Sequence, residues 1–173
     1  MNYFSTDVGA ARYRAGTVDT WRKEAVVGAS GWSYFVAYQP DLDAALDALR
    51  DRVFAEGEYW WARGETPNSA SDYPNRPTTM EDLFNDEWVQ ESGTHSILDV
   101  YRVLNEGERP DYGTVEPVCT AEALRHAGTE RLTREHLDAI KGLTARRWFG
   151  RCAVLHDGQG KPEEIYFWGF SGD

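Results

Sequence analysis

The segment from Gly31 to Trp61 constrains the fold more than any other part of the chain, because it signals two kinds of secondary structure in succession. Its first part, Trp32 to Gln39, is rich in aromatic residues, and both sets of alternating positions are fairly apolar. Such a pattern predicts a strand that is covered on both faces. Pro40 has no amide hydrogen to donate to a β-ladder, so we expect the strand to end there.

The second part of this segment predicts an amphipathic helix from Leu42 to Glu56. Asp41 is a suitable N-cap residue, and Gly57 is a suitable residue just beyond the helix C-terminus. Asp43 adds negative charge where the helix dipole favours it. The apolar stripe that would face the core consists of Leu42, Ala45, Leu46, Leu49 and Val53.

Turn residues and apolar runs predict further elements along the rest of the chain. We expect a loop over residues 62–78, which contains three prolines, and a second loop over residues 105–117. Thr78 and Glu81 are spaced as a capping box for a short helix. The predicted N-caps of two more short helices are Thr120 and Thr133. The remaining predicted strands are Thr94–Leu104, Trp148–His156 and Glu164–Phe170.

These elements predict an α+β fold. We expect a mostly antiparallel sheet of four to five strands, with helices packed chiefly on one face. The last two predicted strands are separated by residues 157–160, Asp-Gly-Gln-Gly, and should form a C-terminal β-hairpin. Residues 31–173 are long enough for a single α+β domain, and residues 1–30, which show no clear period, are interpreted as an N-terminal extension.

Charge and cysteine content narrow the class of protein. The formal net charge is −11, and residues 31–173 carry fourteen basic and twenty-six acidic side chains. A surface of this sign repels nucleic acid and anionic membranes, and it favours a basic partner. No apolar run reaches the length that spans a bilayer, and the N-terminus lacks the pattern of a secretory signal. Two cysteines in such a chain predict free thiols and a cytoplasmic location.

Four runs of this sequence also resemble one family. They are GWSYFVAYQPDLDAALDALRDRVFAEGEYW, GTHSILDVYRV, PDYGTVEP and IYFWGFSGD. As a set, these runs are similar to a family of small bacterial, largely actinobacterial, proteins of unknown function. The resemblance covers most of residues 31–173 and leaves out residues 1–30. It implies a shared fold and a cytoplasmic protein, and it implies no reaction.

His95 and Asp99 are the candidate acid–base residues. On the predicted strand Thr94–Leu104 they would point to the same face, with Ser96 on the other. Four residues along a strand span roughly 13 Å, so a Ser-His-Asp triad within this strand is geometrically poor. Asp99 interrupts an otherwise apolar strand, and on a covered face burial would raise its pKa. The alternative is that Asp99 pairs with an arginine or faces water.

No metal site and no cofactor are predicted, because the cysteine and histidine spacings fit no metal motif and no phosphate-binding glycine loop occurs. Residues 141–151, KGLTARRWFGR, form the only local basic island. Arg146 and Arg147, next to Trp148 and Phe149, could hold an anion or a planar ligand. The same arginines could instead pair with the acidic remainder of the surface.

Trp60 and Trp61 are candidates for a binding surface. Adjacent residues on a strand point to opposite faces, so the two tryptophans cannot easily both be buried there. One of them could line a cleft under loop 62–78, together with Tyr34 and Tyr101. Core packing is the alternative for these aromatic side chains.

Two functions of different classes are consistent with these features. The first is a small acidic cytoplasmic protein-binding domain of the immunity or antitoxin type, which engages a basic partner. The second is a small-molecule enzyme or ligand-binding protein with an aromatic-lined pocket for a small apolar or aromatic ligand. In that case Asp99 or His95 would act as general acid or base. The lack of a recognisable catalytic motif favours the first by a small margin.

Overall fold

The computed structural model describes residues 29–61, 69–144 and 146–172. The predicted N-terminal extension lies almost entirely outside these residues, and so does the first part of the predicted loop 62–78. The described strands are β1 (Gly31–Ala37), β2 (Arg102–Val103), β3 (Thr114–Pro117), β4 (Phe149–His156) and β5 (Pro162–Phe170). The described α-helices are α1 (Leu42–Glu56), α2 (Met80–Phe84), α3 (Glu87–Ser92), α4 (Thr120–Ala127) and α5 (Leu137–Ile140).

The strands form one mixed sheet in the order β1-β5-β4-β3-β2. β5 pairs antiparallel with both β1 and β4. β3 pairs parallel with both β4 and β2. The predicted α+β class and number of strands are confirmed, and the sheet is mixed, with two antiparallel pairings and two shorter parallel pairings. The parallel half went unpredicted because β3 has only four residues and lies in the segment predicted as loop 105–117.

Local signals place α1 where the sequence predicts it. Asp41 Oδ1 accepts a hydrogen bond from the amide of Ala44 at 3.0 Å. Gly57 ends the helix with a φ of 70°, a left-handed conformation that glycine adopts without strain. Asp43, in the first turn, accepts the amide of Val103 at 2.7 Å and so ties α1 to β2.

Of the capping predictions for the shorter helices, two are shifted by one residue and the one at Thr133 is confirmed. Thr79, rather than Thr78, caps α2 by accepting the amide of Asp82. Cys119 precedes α4, of which Thr120 is the first residue. Thr133 caps a 3-10 turn, Arg134–His136, that leads into α5.

The C-terminal hairpin is confirmed. β4 and β5 pair antiparallel, and Leu155 lies opposite Glu164 near the turn. Asp157 Oδ1 accepts the amides of Gln159 and Lys161 at 2.9 and 2.8 Å, which closes the loop between the strands. A short aspartate side chain is well suited to this, since it bonds to backbone amides two residues on.

Helices cover both faces of the sheet rather than chiefly one. On β5, Ile165 and Phe167 belong to one buried cluster, and Tyr166 and Trp168 belong to another. Alternate residues of a strand point to opposite faces, so the two clusters lie on the two sides of the sheet. The first cluster includes side chains of α1, α2 and α3, and the second includes side chains of α4 and α5.

Candidate functional site

The segment from Gly93 to Val100 forms a tight turn rather than a strand. Ile97–Asp99 is a 3-10 turn, and the hydroxyl of Ser96 accepts the amide of Leu98 at 3.2 Å at its start. A serine that bonds to the backbone two residues ahead competes with strand formation. The prediction of a strand over Thr94–Leu104 is therefore wrong except for the two residues of β2.

Asp99 is a buried carboxyl group that is only half satisfied. The residue is 3% exposed. Its Oδ1 accepts hydrogen bonds from the amide and the hydroxyl of Thr94 at 2.7 and 2.8 Å. The hydroxyl of Ser171 lies close enough to act on the pKa of the carboxyl as a hydrogen bond does, although its distance or angle to Oδ2 is outside the range of an ordinary hydrogen bond. Oδ1 is therefore held firmly by Thr94, and Oδ2 is held less firmly beside Ser171.

Burial raises the pKa of Asp99 above its ordinary value. The proximity of the Ser171 hydroxyl, the hydrogen bonds from Thr94 and the positive charge of His95 all oppose this rise, but desolvation outweighs them. A carboxyl group with a raised pKa exchanges its proton closer to neutral pH than a surface aspartate does. The site therefore holds a group that can serve as an acceptor or as an acid.

Asp99 lies on the wall of a cavity of about 310 Å³. This volume is at the lower end of the range found for pockets that bind small organic molecules. The wall combines one carboxyl and one guanidinium group with aromatic and aliphatic side chains. Its residues are Arg50, Phe84, Leu98, Asp99, Tyr101, Tyr112 and Trp148.

A second cavity lies elsewhere in the fold, between α4 and β4, and has a volume of only about 110 Å³. Cys152 and His156 contribute to its wall. Burial raises the pKa of the Cys152 thiol to about 12, so the thiol stays protonated and unreactive at neutral pH. This cavity is too small for an organic ligand.

The aromatic wall beside Asp99 is held in a strained backbone conformation. Trp148 has a φ of 63°, which is uncommon for a bulky residue. Its ring packs against Tyr112 with centroids 5.0 Å apart and lies over Gly172, where a Cβ would collide with it. A Cβ on Gly93 would lie 2.7 Å from Asp99 Oδ2. Strain of this kind persists only where the surrounding structure maintains it, and it concentrates at functional sites.

His95 is the other non-glycine residue in the described part of the chain with a positive φ, at 52°. Its ring stacks on Trp60 with centroids 4.8 Å apart and an angle of 15° between the planes. The amide of Trp60 donates to the carbonyl of Thr94 at 2.7 Å. Trp60 and His95 therefore brace the backbone of Thr94, the residue that holds Asp99 Oδ1.

The structure brings only part of the predicted pocket together. Asp99 and Tyr101 lie on the cavity wall. Trp61 is buried in the core, edge-on to Tyr73 at 5.4 Å. Tyr34 is half-buried in the same core, and its pKa is raised by burial and, more weakly, by nearby carboxylates that include Asp99. It thus lies near the site without forming part of the wall.

The predicted anion-binding arginines lie apart from the cavity wall. The guanidinium of Arg146 lies over the ring of Phe149, 5.1 Å from its centroid. Arg147 Nη1 donates to the carbonyl of Gly172 at 3.2 Å. Trp148, between these arginines and β4, is the member of the basic island that does line the cavity.

One wall residue that the sequence analysis missed had a readable signal. Arg50 is four residues after Leu46 and three before Val53, so it lies at the edge of the apolar stripe of α1. A charged residue beside such a stripe is a reason to expect a partly buried polar site. The other missed residues, Phe84, Leu98 and Tyr112, have no comparable signal because their positions depend on how distant segments meet.

Neither metal ligands nor relatives identify the site. Within residues 29–61, 69–144 and 146–172, no group of three or more His, Cys, Asp and Glu side chains could hold a metal ion. No α-helix in the same described ranges combines the length and apolar character needed to cross a bilayer. Comparison of the chain with protein-family models, curated proteins and solved structures gave no match.

Proposed function

We propose that this protein binds a small organic molecule in the cavity beside Asp99, as a ligand-binding protein or as a small-molecule enzyme. The observation that carries the proposal is the position of the buried Asp99 carboxyl on the wall of a cavity that Arg50 also lines. The volume of this cavity suits a small organic molecule, and its aromatic wall includes the strained Trp148.

Energetics support a ligand rather than a purely structural role for Asp99. A buried polar group without its partner costs on the order of 1–3 kcal/mol, and more when the group is charged. A domain of this size is stabilised by only about 5–15 kcal/mol in total, so such a cost is substantial. A ligand that donates a hydrogen bond to Asp99 would remove the cost on binding.

Asp99 is also suited to proton transfer. Its raised pKa brings it closer to the operating range of a general acid or base than an ordinary aspartate. His95 acts on Asp99 through its charge, which lowers the pKa of the carboxyl, rather than by lining the cavity. If the protein is an enzyme, we propose that Asp99 moves the proton and His95 adjusts how readily it does so.

A basic protein partner is a second candidate, supported by the acidic surface. Asp41, Asp43, Asp47 and Asp51 are all exposed along α1. Asp41 and Asp43, however, already have structural roles, as the N-cap of α1 and as the acceptor for the amide of Val103. The small-molecule proposal is preferred because two largely buried charged side chains, Arg50 and Asp99, line one cavity of about 310 Å³.

Native mass spectrometry of the full chain, purified from its own host at low ionic strength, tests the proposal. We expect a small molecule of defined mass bound to the wild-type chain. Asp99→Asn should lose that mass, because an amide cannot act as a charged acceptor or an acid at Oδ2. Asp138→Asn, which changes an exposed aspartate paired with Lys141, is the matched control and should retain it.

The outcomes separate the two candidates. A stoichiometric basic protein in place of a small molecule would favour the second candidate. Ligand retained at wild-type occupancy in Asp99→Asn would contradict the proposal directly, because the carboxyl group would then play no part in binding.

A further inference from the structure

We propose that the ligand of the cavity beside Asp99 is a flat aromatic molecule of one or two fused rings, which stacks on the Tyr112–Trp148 pair. This inference rests on the proposed function, and it adds the chemical class of the ligand. It follows from the aromatic side chains of the wall, from the way their rings are fixed in place and from the volume of the cavity.

Aromatic side chains make up most of the wall of this cavity. Four of its seven residues are aromatic, namely Phe84, Tyr101, Tyr112 and Trp148. Tyr101 and Tyr112 are nevertheless 52% and 50% exposed, so core packing does not account for their positions. Half-exposed rings that gather around a cavity are typical of a surface that a ligand covers.

The ring of Trp148 is fixed against two glycines. A Cβ on Gly172 would collide with its Cζ2 atom, and a Cβ on Gly93 would lie 3.1 Å from its Cη2 atom. The backbone is held as well, since the amide of Trp148 donates to the carbonyl of Phe170 and its carbonyl accepts the amide of Gly113, both at 2.9 Å. The surrounding structure thus maintains both the uncommon φ of 63° at Trp148 and the position of its ring.

Tyr112 and Tyr101 extend this fixed surface. The ring of Tyr112 packs against that of Trp148, with centroids 5.0 Å apart and an angle of 32° between the planes. The hydroxyl of Tyr101 donates to the carbonyl of Tyr112 at 3.0 Å, and the ring of Tyr101 lies over Gly113, where a Cβ would collide with it. Aromatic rings pair in offset or tilted arrangements with centroids about 4.5–7 Å apart, so this surface favours a flat partner ring. A puckered saturated ring gains no such pairing.

The volume of the cavity sets the size of the ligand. A cavity of about 150 Å³ is sufficient to bind benzene. The cavity beside Asp99, at about 310 Å³, has roughly twice that volume. Two fused rings therefore fit, and we expect a two-ring ligand to bind more tightly than a one-ring ligand because it buries more apolar surface.

Four uncharged probes test the inference by isothermal titration calorimetry on the full chain at pH 7. They are 2-naphthol and decahydro-2-naphthol, which share one carbon skeleton, and phenol and cyclohexanol, which share another. Each probe has one hydroxyl group, so the members of a pair differ in whether their rings are flat or puckered. The saturated probes have at least as much apolar surface as the flat ones, so burial alone gives them no disadvantage. We expect 2-naphthol to bind about tenfold more tightly than decahydro-2-naphthol, the gain from one good aromatic pair.

Gly172→Ala tests whether Trp148 provides the stacking surface. Gly172 does not have a positive φ, so its backbone accepts alanine, but the added Cβ would displace the indole ring. We expect the tenfold preference for 2-naphthol to fall to about twofold or less. Gly158→Ala is the matched control, because Gly158 also lacks a positive φ and an added Cβ there would meet nothing within 4 Å. It should leave the preference unchanged.

Tyr112→Leu is a second test, at a position where loss of folding is not expected. Tyr112 is half exposed, and leucine keeps an apolar side chain on the wall while removing the ring. This variant should also lower the preference for 2-naphthol over decahydro-2-naphthol. Tyr38→Leu is the matched control, because Tyr38 is likewise exposed, at 36%, and lies off the cavity wall.

The results distinguish a wrong ligand class from a wrong site. If decahydro-2-naphthol binds as tightly as 2-naphthol, the aromatic class is overturned and the proposed binding function stands. If none of the four probes binds, the aromatic class is also overturned, and the native mass measurement decides whether the cavity has any ligand. A preference for 2-naphthol that persists undiminished in both Gly172→Ala and Tyr112→Leu would overturn the assignment of stacking to the Tyr112–Trp148 pair.

Discussion

Arg151 and Asp99 are both almost completely buried, but Arg151 is held by two ion pairs, whereas Asp99 is held by hydrogen bonds from Thr94. The guanidinium of Arg151 is 7% exposed, and its two terminal nitrogens pair with Glu116 and Glu122. Glu122 in turn accepts the amide of Cys119 at the start of α4. These bonds tie β3, β4 and α4 together, which is a sufficient structural reason for a charge in the interior.

Asp99 has no comparable ion pairs among the described residues. In this respect Arg50 is more similar to Asp99 than to Arg151. Both Asp99 and Arg50 line the same cavity, and the ion pair of Arg50 within the described residues is a long contact of 3.8 Å to Asp47. Arg151 Nε also has no partner among the described residues, but the two terminal nitrogens of Arg151 each hold a carboxylate. Burying a charge is costly, and the cost is offset only where partners are present. The degree of pairing thus separates charges that hold the fold together from charges that are available to a ligand.

The largest effect that tests this comparison is expected at Arg151. Replacing both partners, Glu116→Gln and Glu122→Gln, should lower the free energy of unfolding by about 3 kcal/mol, the lower end of the cost of an uncompensated buried charge. We take the lower end because both carboxylates are partly exposed. Urea unfolding at pH 7 measures the change. The exposed pair Glu81→Gln and Glu91→Gln is the control and should stay within about 0.5 kcal/mol of wild type.

Arg151 would lose its structural interpretation if the double variant unfolded within 1 kcal/mol of wild type, a margin that surface substitutions rarely exceed. The pKa of Glu122 provides a further check. Burial raises this pKa, but the hydrogen bonds from Arg151 and Cys119 outweigh burial, so the pKa is lowered. The stability that this group contributes is therefore present above its unfolded pKa and is lost as the pH falls through the lower folded value.

A smaller effect is expected at Gly93. A Cβ at this position would lie 2.7 Å from Asp99 Oδ2, and its φ of +81° is unfavourable for alanine. Gly107 has a similar φ of +83°, but an added Cβ there would meet nothing within 4 Å. Gly107→Ala should thus cost about 1 kcal/mol of stability from backbone conformation alone. Gly93→Ala should cost about 2 kcal/mol, because the carboxyl group must also move.

Thermal unfolding of the two glycine variants measures this difference. Equal costs at Gly93 and Gly107 would mean that the Asp99 side chain shifts freely, and a freely shifting carboxyl group would argue against a preformed binding site.

The smallest effect is expected for Asp99→Asn, and it should have the opposite sign. The amide keeps an acceptor for Thr94 and removes a charge that burial disfavours, so we expect a gain of about 1 kcal/mol in the free energy of unfolding at pH 7. Because the folded pKa of Asp99 is raised, its contribution to wild-type stability is fully present below the unfolded pKa. That contribution is lost as the pH rises through the folded value.

Urea unfolding of the wild-type and Asp99→Asn proteins between pH 4 and pH 7 tests this dependence. The advantage of the variant should grow with increasing pH, opposite to the behaviour expected at Glu122. A variant that is less stable than wild type at pH 7 would place Asp99 with Arg151, as a structural charge.

The elements that the sequence predicted correctly are those with local signals. α1 has its N-cap at Asp41 and its left-handed residue at Gly57, and both act within a few residues of the helix that they bound. The C-terminal hairpin is likewise closed by the side chain of Asp157. Prediction failed over Thr94–Leu104, where the apolar run is typical of a strand but Ser96 and Asp99 favour a turn. The structure has a 3-10 turn there, with Ser96 as its N-cap.

The sequence by itself determined α1, the hairpin, the α+β class and Asp99 as a candidate residue, because capping, periodicity and turn chemistry act over a few residues. Tertiary structure alone decided the parallel half of the sheet and the composition of the cavity, in which Arg50, Asp99 and Trp148 come from three distant segments. It also decided which charges are paired, since Arg151 and Glu122 are 29 residues apart in the chain. Burial and pairing depend on which distant segments meet, and no local pattern specifies that.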